Sequence, residues 1–271
     1  MTGIRAIRLV TQDADRLAAF YVEALGFAPE DTISPLSDPF CGSLRRFRTL
    51  SLGHERIELI ESLTPGAPAD VVAVNDVRFQ HFALVAPIMD RAHARLCRLA
   101  GWTEITLRGP QQLPASSGGV TAFKFRDPDG HPLELLSFPE SGCPDHWVSR
   151  SAKTDGPLIG IDHTAVVVSD TAQSLAHYAR LGFRKTGGSI NTGPAQAALD
   201  GLEAPRVEVT SLRTGPSGTP HLELLCYGPG TRLTRAGDAD ILATRIIGAG
   251  GGKAMVDPDG HRWIEDRDGA I

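Results

Sequence analysis

The pentapeptide DPDGH occurs twice in the 271-residue chain, at 127–131 and at 257–261, each time between short apolar runs. Pro at the second position and Gly at the fourth suit a type I turn, so the chain reverses direction at both places. Two more signatures recur. An apolar-Glu-apolar run appears as IELI at 57–60, LELL at 133–136 and LELL at 222–225, with WIED at 263–266 as an altered fourth copy. LGF closes a helical pattern at 25–27 and again at 181–183. Recurrence of this kind implies one supersecondary unit used several times, which limits the fold more than any single residue does.

Four modules follow. The first, from about Ile4 to Glu61, reads as a strand, a helix capped by Asp13 and stopped by Gly26, and further strands ending in RIELIE. The second, from about Asp76 to Phe138, repeats this with QHFALVAP, a helix through Leu96 and Leu99 ending at Gly101, and the first DPDGH turn. The third, from about Leu158 to Tyr227, starts with IDHTAVVVSD and ends with HLELLCY; between them GGSINTGPAQAALDGLEAPR is placed to shape a substrate mouth. The fourth is shortened, because the glycine-rich stretch between Arg245 and Asp257 leaves no room for a helix of ordinary length. The polar segment 140–157 reads as a linker. The expected architecture is α+β: four βαβββ-type modules, the last without its helix, forming two open, half-barrel sheets. The expected domains are 1–139 and 158–271.

A 41% apolar fraction is enough for a proper core, and a net charge of −5 gives no bias toward nucleic acid or anionic membrane. No apolar run is long enough to span a bilayer. MTGIRAIRLVTQDAD lacks the order of a signal peptide, so a cytoplasmic protein is expected. Cys41, Cys97, Cys143 and Cys226 form no CxxC pair and read as reduced, structural thiols.

Modules two and three share an arrangement the other two lack. Each has a His early in its first strand, His81 and His163, and a Glu in its last strand, Glu134 and Glu223. Side chains alternate along a strand, so two such strands side by side can aim a His and a Glu into one cavity. Two imidazoles and two carboxylates suit a divalent ion: Ni, Co, Zn, Mn or Fe. A solvent-facing Glu and a core His satisfied by backbone are the plainer readings of each residue alone; the matched positions in two repeats favour the site.

A strand-initial His, a helix closing in LGF, and DPDG-x-x-x-E on the last strand resemble the vicinal oxygen chelate superfamily of glyoxalase I, extradiol dioxygenases and bleomycin-resistance proteins. The resemblance implies a metal ligand from each first strand and a Glu from each last strand. Ala6 takes the histidine position of module one, leaving Glu58 alone. Arg245 takes it in module four, and Ile264 falls where Glu is required, with Glu265 one residue late and so on the opposite face unless a bulge intervenes. A site within the first half would hold Glu58, His81 and Glu134; one within the second would hold His163 and Glu223 opposite Arg245. Pairing module two with module three instead makes one complete set, His81, Glu134, His163 and Glu223, and one degenerate set. His221, two residues before Glu223 and on the same face, is a candidate supporting or substrate-contacting group, as are Glu58 and Arg245. His131 and His261 belong to the turns, and Arg45, Arg46 and Arg48 to a solvated face.

By that resemblance the chain is expected to be a metal-dependent lyase or isomerase acting on a small substrate with vicinal oxygens through an enediolate-like intermediate, with Glu134 or Glu223 as general base. An Fe(II) extradiol dioxygenase and a metal-free small-molecule binding protein are the alternatives. The expected partner is a small molecule, with neither nucleic acid nor membrane, and two copies as a homodimer are an admissible assembly.

Overall fold

The computed structural model describes residues 3–31, 35, 37–63, 71–215 and 218–266. Module one supplies β1 (Ile4–Thr11), α1 (Ala14–Leu25), β2 (Ala28–Glu30), β3 (Ser37–Asp38), β4 (Gly42–Leu52) and β5 (Glu55–Ser62). Module two supplies β6 (Gln80–Val85), α2 (Met89–Leu96), β7 (Thr103–Glu104), β8 (Gln111–Gln112), β9 (Thr121–Arg126) and β10 (Pro132–Ser137). A short helix, α3 (Asp145–Ser151), lies between the halves. Module three follows with β11 (Ile161–Val167), α4 (Thr171–Arg180), β12 (Arg184–Asn191), α5 (Pro194–Asp200), β13 (Val207–Arg213) and β14 (His221–Cys226). Module four, among the described residues, has β15 (Arg245–Ala249), β16 (Ala254–Val256) and β17 (Arg262–Asp266) and no helix.

The punctuation acts as its chemistry dictates. Asp13 accepts from the N–H groups of Asp15 and Arg16, and Gly26 ends α1 at φ 77°, a left-handed conformation that suits a residue without Cβ. The second helix stops at Leu96, earlier than the apolar pattern through Leu99 suggests.

Two open sheets result, and each takes strands from both halves of the chain. One has eight strands in the order β16-β17-β15-β1-β5-β4-β2, with β3 on β4; the other has nine, β12-β13-β14-β11-β6-β10-β9-β7, with β8 on β9. Each module's first and last strands run parallel, and the modules join through antiparallel first strands, β1 with β15 and β6 with β11. Modules two and three therefore share one sheet, and modules one and four the other.

Alternation divides each strand between two environments. Phe82 and Leu84 of β6 and Leu133 and Leu135 of β10 enter a core with Leu17 and Tyr21 of α1 and Leu96 of α2. His81 and Glu134, at the intervening positions, face the other way. The DPDGH turns tie one sheet to the other. Tyr21 donates to Asp127 at 3.0 Å, and His131 Nε2 lies 2.9 Å from the carbonyl of Val10; in the other half Tyr178 donates to Asp257 at 2.6 Å, and His261 Nε2 lies 2.8 Å from the carbonyl of Val167. Both histidines thus belong to the turns, as expected. Arg45, Arg46 and Arg48 are exposed and pair with Asp15 and Glu61. The 140–157 segment does more than span: its Trp147 is fully buried beside Val85 and Ile159 and donates to Asp162 at 2.9 Å.

Candidate functional site

The seam between β6 and β11 places His81 opposite Ala165 and His163 opposite Ala83. On the flanking parallel strands Glu134 lies beside Ala83 and Glu223 beside Ala165. The two alanines leave open the space that the four larger side chains surround. A cavity of about 320 Å³ lies over this point, lined by Leu113, Ser117, Gly118, Asn191, Leu199 and Tyr227 among others.

Donor atoms of His81, Glu134 and His163 all lie within 4.8 Å of one another, and all three residues are buried. His81 Nε2 is 3.0 Å from Glu134 Oε2, yet among the described residues neither ring nitrogen of His81 makes an aligned hydrogen bond. A buried imidazole and a buried carboxylate that touch without bonding are costly unless both serve a third group. Glu223 stands slightly apart. Its Oε2 is 3.6 Å from His163 Nε2, while its Oε1 accepts from Ser211 at 2.9 Å and lies 3.3 Å from His221 Nε2. Asp162 Oδ2 is 3.0 Å from His163 Nδ1, which turns Nε2 of that ring to the cavity; Trp147 holds the other oxygen of Asp162. Asp162, His163 and His221 form a second cluster of possible ligands, but its atoms are already engaged with one another and with the backbone.

The charges agree with this geometry. Burial lowers the pKa of His81; the neighbouring Glu134 carboxylate opposes this, but burial, helped by Lys124 and His163, prevails, so the ring stays neutral and able to ligate. Burial opposes the charge on Glu134, but His81 and the Lys124 ammonium hold its pKa below the usual carboxylate range. Burial also opposes a charge on His163, yet Glu223, Asp162 and Glu134 overcome it and push its pKa up to about 9. Glu223 in turn is held well below its ordinary value against the cost of burial, chiefly by His163 and His221. The carboxylates thus draw a positive charge to this point. Two neutral-capable imidazole nitrogens, a carboxylate in the same small group, and the unbonded His81 ring fit a divalent ion.

The structure does not bring Glu58 and Arg245 to this cavity. Both lie in the other sheet, where Arg8 bonds Glu58 at 2.6 Å and Asp38 at 2.9 Å, and Arg245 bonds Asp38 at 3.2 Å. A within-half site fails for the same reason, because the paired first strands come from different halves. Glu265 turns to the backbone N–H of Gly251, away from the seam, as its one-residue offset implies.

Sequence reasoning missed Lys124 and Asp200. Lys124 is paired in register with Glu134, is buried, and bonds Asp200 at 2.7 Å. Its signal was present: a lone lysine between Phe123 and Phe125 is as anomalous on a buried strand as Glu134 is between leucines. The 187–206 segment does line the cavity, through Gln196 and Leu199 of α5 among others.

Residues 3–135 match the family model described as the Glyoxalase/Bleomycin resistance protein/Dioxygenase superfamily. Glyoxalase I from Zea mays shares the fold over 97% of this chain and 92% of that one, at 15% identity and a TM-score of 0.58. A point mutant of the same maize enzyme gives 16% identity and 0.60 over 97% and 92%. A Bacillus subtilis protein assigned as a candidate dioxygenase gives 14% identity and 0.59 over 99% and 86%. No curated protein matches the sequence. Residues 3–135 belong to this superfamily, and the structural likeness extends the shared fold across both halves. Among the described residues no helix is long and apolar enough to cross a membrane.

Proposed function

We propose that the chain is a divalent-metal-dependent lyase or isomerase of glyoxalase type, acting on a small substrate with vicinal oxygens through an enediolate-like intermediate. The observation that carries the reading is the buried His81 ring, without an aligned hydrogen bond, grouped with Glu134 and His163 at a cavity. His81, Glu134 and His163 would hold the ion, with Glu223 within reach as a fourth ligand. When bound, the ion supplies Lewis-acid polarisation of the two substrate oxygens. The remaining work falls to the chain. Asp162 fixes the orientation of His163, and Ser211 and His221 position Glu223. Glu223 is more exposed than Glu134 and lies outside the mutual group, so it is the carboxylate that takes a proton from the carbon beside the chelating oxygens and returns it. Leu113, Leu136 and Leu199 give the cavity an apolar wall that limits water. Metal analysis after incubation with Co²⁺ should find one ion per chain and a raised Tm. Absence of both would overturn the reading.

One observation favours a second reading. With Glu223 drawn toward Ser211 and His221, His81, His163 and Glu134 alone make a two-His, one-carboxylate set, the pattern of non-haem Fe(II) oxygenases. Catechol-dependent oxygen uptake by the Fe(II)-treated chain would select it over the lyase or isomerase.

A further inference from the structure

The wall of the cavity beside Glu134 holds a second polar group that the metal donors do not use. Asp200, at the end of α5 and buried, accepts three hydrogen bonds: from Lys124 Nζ at 2.7 Å, from Gln196 Nε2 at 2.7 Å and from Tyr227 Oη at 3.1 Å. Its three partners all line the cavity. They come from β9 of module two, from α5, and from the end of β14 in module three. Asp200 thus ties its own helix, through Gln196 one turn earlier, to β9 and to the residue that follows β14.

Stability alone gives this cluster little purpose. A buried Lys-Asp pair is commonly no more stabilising than apolar residues of the same volume. Gln196 Oε1 has no hydrogen-bond partner among the described residues, although burial makes an unpaired amide oxygen costly. An ammonium carries three donors, and Asp200 accepts one of them. Histidines aside, Lys124 is the one basic side chain among the described residues lining the cavity. The adjoining groove, lined by Gln112, Pro114, Ser141 and Thr192 among others, adds no charged residue.

We propose that Lys124 and Gln196, held by Asp200, form a second binding pole that takes an oxyanion of the substrate with a hydroxyl beside it. This deepens the metal-dependent reading and rests on it for the opposite end of the ligand. Lys124 donates to the oxyanion, and the orphaned Gln196 oxygen accepts from the neighbouring hydroxyl. The substrate class is a compact hydroxy acid: one end has vicinal oxygens for the ion, and the other has a carboxylate flanked by a hydroxyl. A volume of about 320 Å³ corresponds to roughly ten water molecules, so the ligand is small.

Calorimetric titration of the Co²⁺-loaded chain with tartrate and with glycerate tests this. Both probes chelate through a hydroxy acid end, and only tartrate brings a second such end to the pole. The wild type should prefer tartrate by about ten- to a hundred-fold, the scale of a charge-assisted hydrogen bond. Lys124→Met with Asp200→Asn, which removes both charges together, should reduce the preference to about threefold or less, and Gln196→Leu should reduce it partly. Comparing the same two probes across variants cancels their own affinity for the ion. Equal binding of both probes by the wild type, or a preference unchanged in the double variant, would overturn the pole. If the double variant does not fold, Gln196→Leu decides, and an unchanged preference there overturns it. Co²⁺ titration without a probe reads the metal donors separately. A chain that takes no Co²⁺ refutes the metal reading, and the pole then stands or falls on whether tartrate binding to the metal-free chain weakens in these variants.

Discussion

At the seam of the inner-module sheet Ala165 lies opposite His81; at the seam of the outer-module sheet Arg8 lies opposite Arg245. The positions correspond, since Glu223 lies beside Ala165 on one neighbouring strand as Glu58 lies beside Arg8 on the other. Both sheets bury carboxylates here and both must balance their charge. The outer sheet does so with its own guanidinium groups, Arg8 on Glu58 and Asp38, and Arg245 on Asp38. Ile264 replaces the second carboxylate and Ala6 the second imidazole. The inner sheet keeps a small residue where Arg8 would stand, so space remains among the donors. The same fold thus yields a permanently neutralised core at one seam and a cavity with an unbonded His81 ring at the other, and the residue at Ala165 or Arg8 decides much of the difference.

The largest effect should come from erasing that difference. Ala165→Arg puts the occluding side chain of the outer sheet into the inner one, and His163→Ala removes a donor; Co²⁺ content should fall from one ion per chain to none in both. Retained stoichiometric Co²⁺ in Ala165→Arg would break the comparison. Next, Arg245→Leu leaves Asp38 with one of its two guanidinium partners gone. Losing one member of a buried ion cluster should cost about 3–5 kcal/mol in urea unfolding, with Co²⁺ uptake by the folded chain unchanged. A neutral result would mean that the outer cluster does not hold its seam.

A smaller effect concerns the turn that joins the two sheets. Burial disfavours a charge on His131, but Asp127 at 2.8 Å and the Val10 carbonyl at 2.9 Å favour it, so its pKa is raised. The stabilisation is complete below the unfolded value of about 6.5 and is lost as pH rises through the higher folded value. His131→Phe should therefore cost about 1–2 kcal/mol near pH 5.5 and less near pH 9. An equal cost at both would show that His131 is held neutral.

The repeats made the modules, both turns and the gathering of His81, Glu134, His163 and Glu223 at one cavity legible, because each of these features recurred at an equivalent position. Loss of His from modules one and four even pointed to which modules share a sheet. Lys124, Asp200 and Asp162 were not legible in this way. Each occurs in one module only, and its partner comes from another part of the chain: Lys124 meets Asp200 across modules, and Asp162 meets Trp147 of α3. Arg8 was hidden for a related reason. On a strand its charge reads as solvent-facing, and its bond to Asp38 depends on the short β3 strand, which no repeat marks. α2 ends at Leu96 because the chain tightens there into i→i+3 turns, Arg98 N–H to Arg95 O and Leu99 N–H to Leu96 O, which still carry Leu99 against the core, so the apolar pattern runs past the helix.

The direct test is a crystal of the Co²⁺-treated chain measured at the cobalt absorption edge. One anomalous peak per chain bounded by His81, Glu134 and His163, with no peak between Arg8 and Arg245, is the predicted result. No peak at the inner seam, or a peak held instead by Asp162 and His221, would contradict it.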